Sequence, residues 1–291
     1  MATELTLQVL CDNQAGPGLL AEHGWSCWLD DGQAPLLFDA GSGTGLLSNA
    51  ARLSVDLQRC QHLLLSHGHW DHSGGLAQLP EALLSRVHGH PDCLRPRVSR
   101  HAGKPVRQIG MPRDLACRLG PLGHWGSEPI RFSASLGSSG TIPRLYPIED
   151  AGGPFFWDEA GEEPDPIPDE QSLWLATPAG LVVVLGCGHA GLVNTVQHLL
   201  TLTGLPRLAG VIGGLHLLHA SEARLAFTCQ WLRHWAPDFL YLGHCSGEQV
   251  IPRLAQALPD TEVRTTRAGD LYRFALHPCP SPTASTAPHR P

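Results

Sequence analysis

The apolar run Leu63-Leu64-Leu65 stops at Ser66 and is followed at once by His67-Gly68-His69-Trp70-Asp71-His72 and then Ser73-Gly74-Gly75. Three imidazoles and a carboxylate within six positions, at the end of what reads as a buried strand, strongly restrict the fold. A histidine-rich surface tract has low-complexity flanks, whereas these flanks read as strand and helix. In an extended loop His67 and His69 point the same way and can reach one ion. Asp71 and His72 sit one turn further on, where Ser-Gly-Gly starts a helix, and can reach a second. Neutral imidazole and carboxylate are the donors that zinc and similar divalent metals take. Two ions need more N/O donors than these four, so the fold must bring other loops to this strand end.

The rest of the chain supplies such loops. Residues 5–10 alternate as a strand, 11–21 contain Gly-Pro-Gly and read as a loop, and 25–29 return as a strand. A hairpin turn at 30–33 leads into a strand at 35–39. Glycines at 41 and 43 then open a helix to about residue 53; no Lys-Ser/Thr follows them, so they read as a tight turn and not a phosphate cradle. After the histidine loop come a helix at 76–84 and a short strand at 85–89, with only weak strand and turn signals from 94 to about 140. Residues 157–170 carry seven acidic side chains among prolines and glycines and read as a solvated loop or flap.

The second half repeats the logic of the first. Strands at 172–176 and 181–185 form a hairpin that ends in Gly186-Cys187-Gly188-His189, followed by a helix at 192–202. A strand at 208–212 ends in Gly213-Gly214-Leu215-His216, and a helix at 221–235 opens with Ser221 as its cap. A strand at 239–242 ends in Gly243-His244-Cys245, a helix covers 248–258, and a final strand pair covers 262–266 and 270–274. Strand, glycine and helix follow one another at 38–44 and again at 185–192. This fits an α/β (α+β) chain with two βα-rich halves whose sheets pack together, an αββα sandwich. Residues 1–276 are expected to form a single domain, and the Pro/Ser/Thr-rich residues 277–291 to be disordered.

Bulk properties narrow the partners. A chain of 291 residues can bury a core without staples. A net charge of −7 and the lack of any Lys/Arg run argue against nucleic acid and leave a small-molecule substrate. The nine cysteines form no C-x-x-C pair and read as buried small apolar residues in a reducing compartment. With no signal-like N-terminus and no run of about eighteen apolar residues, a cytoplasmic protein without membrane association is expected, and a homo-oligomer is compatible with the sequence.

His67-Gly68-His69-Trp70-Asp71-His72 with its following Ser-Gly-Gly resembles the HxHxDH signature of the metallo-β-lactamase fold superfamily. VLCDNQAGPGLLAEHGWS, LVVVLGCGHAGLVNT, VIGGLHL and LGHCSG resemble the branch named for an archaeal dihydropterin–ribofuranosylaminobenzene 5'-phosphate synthase, across roughly residues 4–275. The resemblance implies the four-layer αββα sandwich, a metal-dependent hydrolase, and two divalent ions, zinc first and manganese or iron next. It assigns His67, His69, Asp71, His72 and His244 as ligands, His244 in the last motif. LVVVLGCGH aligns with the strand that usually ends in Gly-Asp; Cys187 stands where that bridging aspartate is expected, and the His-x-x-Gly-His segment before the strand is missing. His189 is the expected replacement imidazole. Cys187 is either a ligand or a buried thiol.

His216 is either a further ligand or an acid facing the substrate, and His90, Glu22 and His23 are candidate additional contacts. Two cations would lower the pKa of a bridging water from about 15.7 to roughly 7, and the hydroxide would attack a carbonyl or phosphorus. Asp71 would orient that nucleophile, and His216 would protonate the leaving group. The lack of basic charge and of length for an added nuclease domain argues against RNA processing, and the altered third motif argues against glyoxalase II. His69, where flavodi-iron proteins carry glutamate, argues against redox chemistry. A small phosphoester or cyclic ester is the expected substrate; the alternative is a non-catalytic metal-binding sensor or ligand-binding protein on the same fold.

Overall fold

A computed structural model describes residues 4–279. One seven-stranded sheet runs, edge to edge, Leu271–Ala275, Glu4–Cys11, Ser26–Asp30, Leu36–Phe38, His62–Leu64, Val87–Gly89 and His124–Trp125. Its first four strands are antiparallel neighbours and its last three add in parallel. A six-stranded sheet runs Glu262–Thr265, Phe239–Leu242, Leu208–Gly213, Gly180–Leu185, Leu173–Thr177 and Leu136–Ser138, parallel through the first four and antiparallel after.

Side-chain alternation sorts the strands into layers. In Gly180–Leu185, Leu181, Val183 and Leu185 pack with Leu192, Val196 and Leu199 of the helix Leu192–Thr203, while Val182 and Val184 join Leu7, Phe38 and Leu64 between the sheets. The first sheet does the same: Leu37, Leu63 and Val87 face Leu46, Leu76 and Leu84 on its outer side. Strands buried on both faces must be apolar throughout, which is why they read as runs as well as alternations. Each such leucine or valine contributes about 1.5–3 kcal/mol on burial. Two outer cores and one inner core are the αββα sandwich.

Several elements depart from the sequence reading. The helix expected at 76–84 is interrupted by Pro80, which lacks a backbone donor, leaving a tight turn at Gly74–Gln78 and a short helix Glu81–Leu84. A helix, Arg113–Leu119, forms within the weak stretch, burying Leu115 and Leu119. The last two strands do not pair with each other: Glu262–Thr265 joins the second sheet and Leu271–Ala275 the first. Residues 277–279 are not a loose tail, since His277 N donates to Ala176 O at 3.0 Å, Cys279 N to Ala134 O at 2.8 Å, and Cys279 is buried. The rest of the segment expected to be disordered, 280–291, lies outside the described residues. No helix among the described residues is long and apolar enough to cross a membrane.

The acidic stretch is the largest correction. Asp158, Glu159, Glu162 and Glu163 belong to a turn at the surface, with Asp158 accepting from Gly161 N at 2.7 Å. Asp165, Asp169 and Glu170 are buried. A run of charges averages to a solvated face, but the environment of each carboxylate is set by the donors that other loops bring to it.

A candidate dinuclear metal centre

The parallel strands of both sheets end at one edge, where open α/β sheets place their ligands. His62–Leu64 leads into the loop 65–72, Gly180–Leu185 into 186–189, Leu208–Gly213 into 214–216 and Phe239–Leu242 into 243–245. Three residues at these ends hold left-handed backbones without being glycine: Asp39 at φ 58, His216 at φ 47 and His244 at φ 49. Strain of this kind costs roughly 1–3 kcal/mol per residue and is held in place by surrounding structure. Gly68 answers a different demand, because a Cβ there would lie 2.6 Å from Cys93 Cα. Gly68→Ala is expected to cost about 1–3 kcal/mol through overpacking and to weaken metal uptake. Thermal melts with and without zinc check this; wild-type values in both would refute the packing argument.

Donor atoms converge in two regions. His67, His69 and His189 form one group, with donors within 4.8 Å of one another. Asp71, His244 and His23 form a second, and His72 and Cys187 lie between the two, grouped with His67. His72 Nε2 is 3.1 Å from Cys187 Sγ and 3.2 Å from His244 Nε2; His244 Nε2 is 3.5 Å from Asp71 Oδ2. The six residues assigned as ligands, His67, His69, Asp71, His72, His189 and His244, are thus brought together. Cys187 is buried among them, and Cys245 approaches with its thiol donating to Cys187 O at 3.3 Å.

Hydrogen bonds fix which ring nitrogen is bare. Ser66 Oγ donates to Asp39 Oδ2 at 2.7 Å, so it accepts from His67 Nδ1 at 2.9 Å, leaving His67 Nε2 with its lone pair. His72 Nδ1 donates to Asp39 Oδ2 at 2.7 Å, His189 Nδ1 to Ala151 O at 2.7 Å and His244 Nδ1 to Asn13 Oδ1 at 3.1 Å. Tying one nitrogen to an oxygen orients the ring and frees the other for a metal. His189 Nε2 is accordingly buried with no partner, and His67 Nε2 sits 2.9 Å from His69 Nδ1. An orphaned buried imidazole nitrogen among imidazole, carboxylate and thiol donors fits a zinc-like divalent cation.

Electrostatics favours the ligating forms of His67, His69, His189, His244 and Asp71, but not those of His72 and Cys187. Burial pushes His67, His189 and His244 well below the ordinary histidine range. Burial, with the nearby Arg97 guanidinium, lowers His69 to about 3. Burial also opposes charge on His72, but the Asp39 carboxylate overrides it and raises the ring to about 9. For Asp71 burial works upward, yet the bond from His23 and the field of His72 and His244 hold it below the usual carboxylate range. Burial and the neighbouring Cys245 push the Cys187 thiol well up, so it ionises only when a cation compensates.

The other candidates separate. His216 belongs to none of these donor groups; its ring centroid is 4.2 Å from that of His189, and burial, then Arg224, lowers it to about 4. His23 is largely exposed at the mouth, with Nε2 3.2 Å from Asp71 Oδ2. Glu22 does not turn toward the centre: its carboxylate accepts from Ser42 Oγ at 2.7 Å, Thr44 N at 2.6 Å and Gly45 N at 3.0 Å, holding the turn before the helix Leu46–Arg52. His90 caps its own turn, with Nδ1 accepting from Asp92 N at 3.2 Å, and joins no donor group. For both, local orphan donors at a helix or turn start claim the side chain. Sequence reasoning missed Asp39, Asp12 and Asn13; Asp12 accepts from His244 N at 2.9 Å and Thr266 Oγ1 at 2.6 Å. The signal was present, since each is a polar residue ending an apolar strand as the histidines do. It missed Phe155 too, whose ring lies 5.4 Å from His69 and 5.6 Å from His189.

Comparison with known proteins bears on the family and the fold. A curated relative, an uncharacterised protein of Methanocaldococcus jannaschii, is 28% identical over 255 residues, covering 86% of this chain and 94% of its own. A second from the same organism, 7,8-dihydropterin-6-methyl-4-(beta-D-ribofuranosyl)-aminobenzene-5'-phosphate synthase, is 26% identical over 254 residues, covering 82% and 84%. The crystal structure of a metal-dependent hydrolase of the beta-lactamase superfamily superposes with a TM-score of 0.75 at 26% identity, covering 92% of this chain and 98% of that one. The family model of the Metallo-beta-lactamase superfamily matches residues 21–193, more than half the chain and the whole stretch from His23 to His189. By its sandwich of two sheets, its histidine loop and this match, the chain belongs to the metallo-beta-lactamase superfamily.

Proposed function

We propose that the protein is a dinuclear metal-dependent hydrolase of a small phosphoester-like or cyclic ester substrate. The observation that carries the reading is the pair of adjoining donor groups, His67–His69–His189 and Asp71–His244, with His72 and Cys187 between them. Bound there, zinc, manganese or iron would supply a nucleophile at neutral pH and stabilise charge developing on the substrate. The chain's own residues do the rest. Asp71 stays ionised and orients both the donor set and the attacking group. His216, neutral near pH 7, offers a hydrogen bond to the leaving oxygen from beside His189. Phe155 covers the His69 and His189 rings and keeps water from that side.

The synthase relative supports a second reading, in which the same centre handles a phosphorylated pterin precursor or ribose phosphate and bond formation replaces hydrolysis. Elemental analysis of protein purified without added metal, paired with bis-p-nitrophenyl phosphate turnover before and after chelation, tests the first reading. The expected result is about two ions per chain and turnover that chelation removes. Ions bound with no turnover of phosphoesters, lactones or thioesters would move the assignment to the synthase chemistry or to a sensor. Metal near zero would overturn the metal centre itself.

A further inference from the structure

Two adjacent residues of the acidic segment hold opposite sides of the centre. Asp169 Oδ2 accepts from Gly68 N, between His67 and His69, at 2.8 Å. Its Oδ1 accepts from the fully buried Arg97 Nη2 at 3.0 Å, and Arg97 Nε lies 3.3 Å from Asp165 Oδ2. The next residue, Glu170, turns the other way: Oε1 accepts from His189 N at 2.6 Å and Oε2 from Ala190 N. The two carboxylates leave a turn in which Glu170 N donates to Ile167 O at 3.4 Å, and because they bond to different loops one peptide unit spans the two ligand loops. Gln171 N continues the contact, donating to Ser66 O at 2.7 Å. On the far side of the His189 peptide, Arg144 Nη1 donates to its carbonyl at 2.7 Å.

The reach of this arrangement is long. Gly68 and Asp169 are 101 residues apart in sequence, and the loops they join end strands of different sheets. Nothing else named above ties His67 and His69 of one half to His189 of the other through the backbone. Their common ion needs donors placed to within a few tenths of an ångström. We propose that Asp169 and Glu170 are positioning residues that set the gap between the His67–His69 loop and the His189 loop, and so tune affinity at that ion. The inference rests on the metal centre proposed above. Neither carboxylate belongs to a donor group: Asp169 is taken up by Gly68 N and Arg97, and Glu170 by the backbone N–H groups of His189 and Ala190.

Cobalt(II) titration of the chelator-stripped full chain, followed by its visible absorption, tests the assignment. Asp169→Ala and Glu170→Ala are expected to weaken the His67–His69–His189 ion by about 10–100-fold and to change its band shape, leaving the second ion near wild type. Repeating the titration in a His244→Ala background separates the two steps. Asp169→Asn keeps an acceptor for Gly68 but sets an amide N–H against Arg97, so a smaller loss is expected, a partial rescue that also serves if the alanine variant does not fold. Glu162→Ala, an exposed acid of the same segment, should bind as wild type. Wild-type affinity in both alanine variants would overturn the positioning role while leaving the metal centre intact. Equal losses at both ions would also overturn it, as general destabilisation. A wild-type chain that binds no cobalt would overturn the centre and this inference together.

Discussion

His69→Ala is expected to reduce bound metal from about two ions per chain to about one and to lower turnover by more than ~100-fold, beyond the 10–100-fold typical of residues that only orient ligands. His69 Nδ1 lies 2.9 Å from His67 Nε2, and the His189 ring centroid is 5.0 Å from that of His69, so its loss leaves that group with two imidazoles. The substitution removes a donor without disturbing the strand before it, because His69 follows Leu65 by four residues of loop. Elemental analysis and chelator-sensitive turnover of the variant check both halves. Full activity with one ion lost would sink the two-metal account.

Asp39→Ala is expected to cost about 3–5 kcal/mol of folding free energy, the usual penalty for removing one partner of a buried ion pair. Asp39 is fully buried and serves Ser66 N, Ser66 Oγ and His72 Nδ1, each at 2.7 Å. The pH dependence follows from His72, whose folded pKa of about 9 exceeds the ordinary histidine value of 6.5. Between those values the folded chain binds more protons than the unfolded one, so the contribution is complete below about 6.5 and is lost as pH rises through about 9. Urea denaturation of chelated wild type at pH 6 and pH 9.5 should show this loss, and Asp39→Ala should not. The same proton must leave for a metal to bind His72 Nε2, so metal affinity should rise with pH over the same window. An identical pH slope in wild type and variant would remove Asp39 as the cause.

Much of the fold was legible because it is written locally. The unbroken apolar run at 181–185 marked a strand, which the fold buries on both faces, and Ser221 marked a helix start that its Oγ does cap, accepting from Arg224 N at 3.1 Å. Apolar runs that stop at glycine and histidine marked the strand ends, and these share one edge because parallel strands in a layered sandwich must run the same way. The failures were equally physical. Pro80 broke a helix that apolar periodicity alone would have continued. Glu22 was a candidate because it lies near a strand start and His90 because it follows a strand, but nearby backbone donors had first claim on them.

The amino-acid order by itself determined which residues end strands, which faces are apolar, and that three histidines and an aspartate would share one loop. Those properties depend on residues a few positions apart. Only the tertiary structure decided that Asp39 holds His72 across 33 residues, that Asp169 holds the His67–His69 loop across 101, and that Glu170 is buried beneath His189 and not solvated in a flap. A carboxylate's charge state and role depend on the donors around it, and here those donors arrive from strand ends that are remote in sequence and adjacent only after the two sheets have packed.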